Sequence, residues 1–386
     1  MDFYEFFAGG GMARLGLGGG WRCVFANDHD PKKAACYRAR FGDEGHLVVG
    51  DIARLDTKSL PEGRADLAWA SFPCQDLSLA GAGAGLGGER SGTFWPFWRL
   101  MLGLRREGRA PRAVVLENVY GAVTSHGGRD LAAICEELAA GGYRFGALVV
   151  DAARFLPQSR PRLFVVAADA SLDIPGALLD AGPAGEWRPE SLKLSHGLLS
   201  DAARAACVWW RLAPPPAPAL TLEDLIEDEP RGVNWHTASE TARLLAMMSP
   251  VNREKVGAAR RAGARRVGAL YRRTRRDADG VKRQRAEARF DGVAGCLRTP
   301  AGGSSRQTVI VVEGERVRTR LLSPREAARL MGLPDDYPLP ANYNDAYHLA
   351  GDGVAVPVVA YLAENLLAPL LLGRAARAVS GAPPKP

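Results

Sequence analysis

Short apolar runs recur through the first 170 positions, at Phe3–Phe7, Cys23–Ala26, Leu47–Val49, Leu67–Ala70, Ala113–Leu116, Phe145–Val150 and Leu163–Ala168. They have the length of strands. The stretches at 12–18, 31–41, 93–106 and 128–140 carry helical patterns instead. Strand, helix, strand repetition predicts an α/β fold with a mostly parallel, doubly wound sheet. No internal repeat is evident.

The pattern changes near residue 170. Pro183, Pro189 and the run Pro214-Pro215-Pro216-Ala217-Pro218 break regular structure. Thr237-Ala238-Ser239-Glu240 reads as a capping box opening a helix with Leu244, Leu245, Met247 and Met248 inside. Ser323-Pro324-Arg325-Glu326 is a second capping box, with proline at the first helical position and Gly332 as the stop. Ser78–Gly92 is rich in Gly, Ala and Ser and predicts a mobile surface loop. Gly373–Pro386 reads as a frayed tail.

Composition narrows the class. The 386 residues suggest two or three domains with a core of ordinary size. Apolar residues at 47% and charged residues at 24% exclude a disordered, collagen-like or coiled-coil chain. Six widely spaced cysteines with no CxxC or CxxH pair argue against a zinc site, and no other metal is expected. Their bland reading is reduced thiols in a cytosol, so a cytoplasmic protein is expected. The most apolar stretch, Val354 to Leu372, holds Pro357, Glu364, Asn365 and Pro369 and makes a poor membrane span.

The net charge of +7 is unevenly spread. Between Arg253 and Arg289 fourteen Lys or Arg stand against four acids, a net of +10, and the remainder is slightly acidic. Such a segment fits a polyanionic partner, or else a solvated helix face.

Ligands of open parallel sheets bind beyond the carboxyl ends of the strands. Here those ends run into Phe7-Ala8-Gly9-Gly10-Gly11, Asn27-Asp28, Gly50-Asp51, Ser71-Phe72-Pro73-Cys74-Gln75 and Glu117-Asn118-Val119. The glycine turn allows close approach of a ligand to backbone. It lacks the Lys-Ser/Thr of a P-loop and the third glycine of GxGxxG. Asp28 stands where an acid accepts ribose hydroxyls, and Asp51 where one meets an adenine amine; either could equally cap a helix. Cys74 is either a small buried hydrophobe or, exposed after a proline at a strand end, a nucleophile. Glu117 reads as an acid kept protonated by shielding, with Arg160 and Arg162 able to hold it and a substrate carbonyl.

Together these residues resemble a DNA (cytosine-5) methyltransferase. Phe7–Gly11 resembles the S-adenosylmethionine glycine motif, and Pro73-Cys74-Gln75, followed by Ser78 and Gly81, the catalytic Pro-Cys-Gln motif. Glu117-Asn118-Val119 and Gln158-x-Arg160-x-Arg162 match two further motifs. Arg325–Pro334 and Gly351-Asp352-Gly353-Val354 resemble the last two. The resemblance spans nearly the whole chain. It implies a Rossmann-like methyltransferase sheet with a smaller target-recognition domain.

By that resemblance Cys74 attacks carbon 6 of a flipped cytosine, Glu117 hydrogen-bonds ring nitrogen 3, Arg162 touches the base carbonyl and Arg160 helps order the site. Phe7 stacks near the adenine, with Ala8 and the three glycines beneath the cofactor. Asp28 takes the ribose hydroxyls and Asp51 the amine. His29, Ile52, Phe72 and Pro73 flank the nucleoside, while Asp352 and Gly353 lie near the methionyl end. Three departures stand out: Met12 replaces a second paired glycine, Asp28 a longer Glu, and Asp352 the usual Asn.

The same resemblance predicts a catalytic and cofactor domain over 1–170 and a target-recognition domain with hinge over 171–342. A segment over 343–372 returns to the catalytic domain, and 373–386 is tail. Gln75, Ser78, Arg272, Arg273, Arg275, Arg276, Arg298 and Thr299 are candidate contacts to double-stranded DNA. Basic residues there neutralise phosphates, and arginine can also read guanine. The expected protein is a nucleoid-associated monomer, with room for a partner restriction endonuclease. The alternatives are a tRNA cytosine-5 methyltransferase and a catalytically silent DNA-binding protein.

Overall fold

The computed structural model describes residues 1–73, 92–276, 280–298 and 306–373, with the side chain of Arg275 left aside. Two compact units emerge. One holds Met1–Asp151, Pro161–Pro216 and the chain from Val356 on; the other holds Ala152–Arg160 and Ala217–Ala355.

The first unit is built on a seven-stranded sheet. Its strands are β1 (Asp2–Phe6), β2 (Arg22–Asp28), β3 (Leu47–Val49), β4 (Leu67–Ala70), β5 (Ala113–Val119), β6 (Tyr143–Asp151) and β7 (Pro161–Asp169), in the order β3-β2-β1-β4-β5-β7-β6. The first five run parallel. Covered on both faces, they read as continuous rather than alternating apolar runs: all four residues of β4 are buried, and six of seven in β5. β7 runs antiparallel to both neighbours. Nine residues separate it from β6, too few for the crossover a parallel pair needs.

Local chemistry sets the helix ends. Pro31 opens the helix Pro31–Phe41, and the Asp30 side chain accepts the Lys32 and Lys33 N–H groups. In the helix Met12–Leu17, Gly16 allows the closest approach: a Cβ there would sit 2.5 Å from Val359 Cβ and 2.7 Å from the Val356 carbonyl. The C-terminal helical run through Val356–Leu362, Ala363–Leu367 and Ala368–Leu372 thereby packs on the sheet unit. Among the described residues, Tyr343–Leu372 is long and apolar enough to cross a membrane, but 67% of its most apolar window is buried inside the protein.

The boundaries expected at 170 and 342 differ from those observed. Residues 170–216 stay with the sheet unit through a small hairpin, β8 (Leu179–Asp180) and β9 (Trp209–Trp210). Trp210 is fully buried, and its Nε1 donates to the carbonyls of Gly146 and Val166. Gly146 makes room, since a Cβ there would lie 2.6 Å from the indole. Pro183 and Pro189 interrupt periodicity without ending the core. The run beginning at Pro214 does coincide with the passage into the second unit.

The second unit carries a four-stranded antiparallel sheet, ordered β11-β10-β12-β13, from β10 (Arg266–Arg276), β11 (Lys282–Arg289), β12 (Thr308–Glu313) and β13 (Arg316–Leu321). Met248, Val256, Leu270, Ala286, Ile310 and Val312 form its core with the helix Pro250–Arg261. The helix Ala238–Ala246 begins at the Thr237–Glu240 capping box and is shorter than its apolar pattern: Met248 lies beyond it, buried in the sheet core. The Ser323–Glu326 box caps Pro324–Arg329, and Arg320 grips Glu326 through two bonds of 2.7 and 2.6 Å with both side chains fully buried. Gly332, at φ 77°, takes the left-handed turn beyond that helix.

Candidate active site

In the first unit the carboxyl ends of the strands form one rim, tied together by polar side chains. The Gly9 N–H donates to Asp28 Oδ2 at 2.7 Å, joining β1 to β2. Asn27 Nδ2 donates to the Val48 and Gly50 carbonyls, each at 3.0 Å, joining β2 to the end of β3. Asn118 Nδ2 donates to the Phe72 carbonyl at 3.0 Å, joining β5 to β4. Arg162 Nε lies 3.4 Å from Glu117 Oε1. The reversal of β7 makes that last pairing: an antiparallel strand begins at the edge where its parallel neighbours end, so Arg162 faces Val119 in register.

The glycine turn has the strain expected of a ligand cradle. Phe7 adopts φ 57°, a left-handed backbone uncommon for a bulky residue. Gly9 and Gly11 follow at φ 55° and 78°. A Cβ on Gly11 would collide with Phe41 and Tyr37, at 2.4 and 2.9 Å. Ala8 and Gly10 are buried between them.

Asp28 is 7% exposed. Its second oxygen accepts the Asp30 N–H, so the carboxylate braces the turn and retains lone pairs for a diol. Asp51 is exposed and caps Ala53, and His29 is largely exposed. Ile52 and Phe72 are buried and Pro73 is exposed. Beside Ile52 opens a cavity of about 420 Å³, walled by Leu55, Pro96, Arg99 and Leu100. The glycine cradle and the buried Asp28 carboxylate suit a nucleoside-bearing cofactor; the cavity beside Ile52 is also lined by Asp56, Thr57, Arg106 and Glu107.

Glu5 escaped notice in the sequence, although an acid inside an apolar strand run was its signal. It is 1% exposed, accepts the Arg14 N–H at 3.1 Å, and so anchors the helix that follows the glycine turn. Burial pushes its carboxyl up to about 8, against the pull of the Arg14 N–H and charge.

Glu117 is buried at the end of β5. Cys74, Gln75, Ser78 and Thr299 lie outside the described residues, as does nearly all of Ser78–Gly92.

The remaining candidates belong to the second unit. Arg160 is 1% exposed. It donates to the Leu297 carbonyl at 3.1 Å and to those of Gly351 and Gly353 at 2.8 and 2.6 Å. Gln158 accepts the Leu297 N–H and donates to the Leu330 carbonyl. These two side chains thus gather three motif segments far apart in sequence. Asp352 ends the helix Tyr343–Asp352 and is exposed, next to Gly353. Arg298 is exposed, and so are Arg272, Arg273 and Arg276 on β10.

A Rossmann-like methyltransferase sheet, a strained glycine cradle and a buried Glu117 beside a partly buried Arg162 define the class. The model of the C-5 cytosine-specific DNA methylase family matches residues 1–368, and the chain belongs to that family. It is 28% identical to the type II methyltransferase M.NlaX of Neisseria lactamica, over 95% of this chain and 96% of that one. It is 26% identical to the type II methyltransferase M.HhaI of Haemophilus parahaemolyticus, over 95% and 94%. Among solved structures, the S. pombe Dnmt2 methyltransferase shares the fold at a TM-score of 0.57 and 18% identity, covering 96% of this chain and 99% of that one. The protein is a DNA (cytosine-5-)-methyltransferase, and S-adenosylmethionine is its methyl donor.

Proposed function

We propose that this chain methylates carbon 5 of a cytosine flipped out of specific duplex DNA sites, through a covalent adduct with Cys74. One observation carries the reading: the buried Glu117 stands beside the strand end that leads into Cys74, with Asn118 bonded to Phe72 and Arg162 at its side. Duplex stacking hides the target carbons, so the base must leave the helix, at about a few kcal/mol.

The Cys74 thiolate adds to carbon 6 while Glu117 gives its proton to ring nitrogen 3. The electron pair driven to carbon 5 forms the new carbon–carbon bond. S-adenosylmethionine supplies the methyl group and leaves as its demethylated thioether. Arg162 hydrogen-bonds the base carbonyl. A base then takes the carbon 5 proton, the sulfur–carbon 6 bond breaks, and nitrogen 3 returns its proton to Glu117. Asp28 and Asp51 bind the cofactor's ribose and adenine, Phe7 and Ile52 its ring, and Asp352 and Gly353 its methionyl end. Arg160 orders the backbone it holds.

The curated relatives are named type II methyltransferases, which supports pairing with a restriction endonuclease. We read the enzyme as a monomer acting on cellular DNA. The test is a duplex containing 5-fluorocytosine: wild type with S-adenosylmethionine should form a denaturation-resistant complex, and Cys74→Ser should not. Full turnover by Cys74→Ser would remove the proposed nucleophile. Transfer to tRNA with none to DNA would favour the RNA alternative, and tight DNA binding without product the silent one.

A further inference from the structure

The helix Pro31–Phe41 lays one ridge along the glycine turn. A Cβ on Gly11 would collide with Tyr37 and Phe41, and a Cβ on Gly9 would have the Lys33 Cδ as its neighbour, at 3.9 Å. Residues 33, 37 and 41 are four apart, so they stack on one face of the helix. Tyr37 is fully buried, and its ring centre stands 4.9 Å from that of Phe41. Where a third apolar side chain would continue the ridge stands a half-buried lysine.

Helix chemistry does not account for that lysine. Lys33 lies in the first turn, where its N–H donates to Asp30 Oδ1 at 3.4 Å. No acid stands within that turn, and Lys32 adds a second cation. The helix dipole is positive at this end and disfavours cations. An uncharged stem would pack on Gly9 equally well. A charge placed against local preference, beside a ligand cradle, is explained by an anion on the ligand.

The backbone of the turn has largely spent its donors. The Gly9 N–H goes to Asp28 Oδ2 at 2.7 Å, the Gly11 N–H to the Ala8 carbonyl at 2.7 Å, and the Arg14 N–H to Glu5. S-adenosylmethionine carries one anionic group, the carboxylate of its methionyl end. Asp28 beside the turn repels that group, so its binding calls for a cation from a side chain.

We propose that Lys33 is a further cofactor-binding residue, whose ammonium receives the methionyl carboxylate and selects for a cofactor that carries one. This rests on the reading that Asp28 and the glycine turn hold the cofactor's nucleoside.

The test is calorimetry on the full chain with two ligands, S-adenosylmethionine and its decarboxylated form. The second keeps the sulfonium and the ammonium and lacks only the carboxylate. Lys33→Met preserves the stem against Gly9 and removes the charge. It should weaken S-adenosylmethionine roughly 5- to 20-fold. It should bind the decarboxylated form as tightly as wild type or more so, because that dication no longer faces a lysine. That second titration also reports an intact fold. Unchanged affinity for S-adenosylmethionine in Lys33→Met overturns the assignment. So does an equal loss for both ligands, which would make the lysine a packing element of the turn. Asp28→Ala checks the underlying reading separately and should weaken both ligands alike. If it weakens neither, the nucleoside is bound elsewhere, whatever Lys33→Met shows.

Discussion

The Arg160 guanidinium donates a 2.6 Å hydrogen bond to the carbonyl of Gly353, 193 residues further along the chain. The same group holds Gly351 and Leu297, and no water-facing surface relieves the cost of breaking these contacts. Arg160→Ala leaves three carbonyls without their donor. It should destabilise the protein by on the order of 3 kcal/mol, read as a shift in the urea midpoint. Arg160→Lys, with one compact charge, should recover only part of that loss.

For Glu117 the expected effect lies in turnover. Glu117→Gln retains the volume and loses the proton that the proposed mechanism delivers to ring nitrogen 3. Steady-state methylation should show kcat lowered by roughly 10²- to 10⁴-fold. Calorimetry should give S-adenosylmethionine affinity within about twofold of wild type. A variant with unchanged kcat would exclude the acid role.

Glu5 gives stability a pH dependence. Its carboxyl is raised to about 8, so below that value the fold retains a proton that the unfolded chain releases in the ordinary carboxylate range. The contribution is complete in acid and is lost as pH rises toward about 8. Wild-type Tm should therefore fall between pH 5 and 8 relative to Glu5→Gln. Parallel Tm profiles would assign the dependence to other groups.

Asp352 places a negative charge on the last residue of its helix, where the backbone dipole is already negative. Asp352→Asn should stabilise the protein by about 0.3–1 kcal/mol. It should also preserve or tighten S-adenosylmethionine binding, measured by calorimetry. A large loss of cofactor affinity would give the carboxylate a positive role.

Much of the sheet was legible because strands covered on both faces leave uninterrupted apolar runs. Leu47–Val49 and Leu67–Ala70 coincide with β3 and β4. The reversal of β7 was not legible, since Leu163–Ala168 reads alike in either direction; only the short link from β6 fixes its sense. Yet that reversal brings Arg162 to Glu117. The motifs were legible as residue types, but the bonds between strand ends were not. Nothing local in Asn118 or Asn27 announces which carbonyl an amide will meet. The boundary at 170 was misplaced for a related reason: proline and glycine mark a change of local structure, while Trp210 continues the core regardless. Arg160 read as a partner for Glu117 or a substrate carbonyl, because a charged residue near an active-site motif suggests ionic work. Its bonds to the Leu297, Gly351 and Gly353 carbonyls and to Cys296 Sγ had no local signal in the sequence.

The nine residues Ala152–Arg160 belong to the second unit although both flanking strands belong to the first. This makes the second unit a poor cassette. A chimera that imports 217–355 from a relative brings its sheet but leaves behind the Gln158 and Arg160 that organise it. Successful exchange between such enzymes should then require either that insert to travel along or that its two polar side chains already suit the newcomer. The base of that unit answers to a segment encoded far upstream.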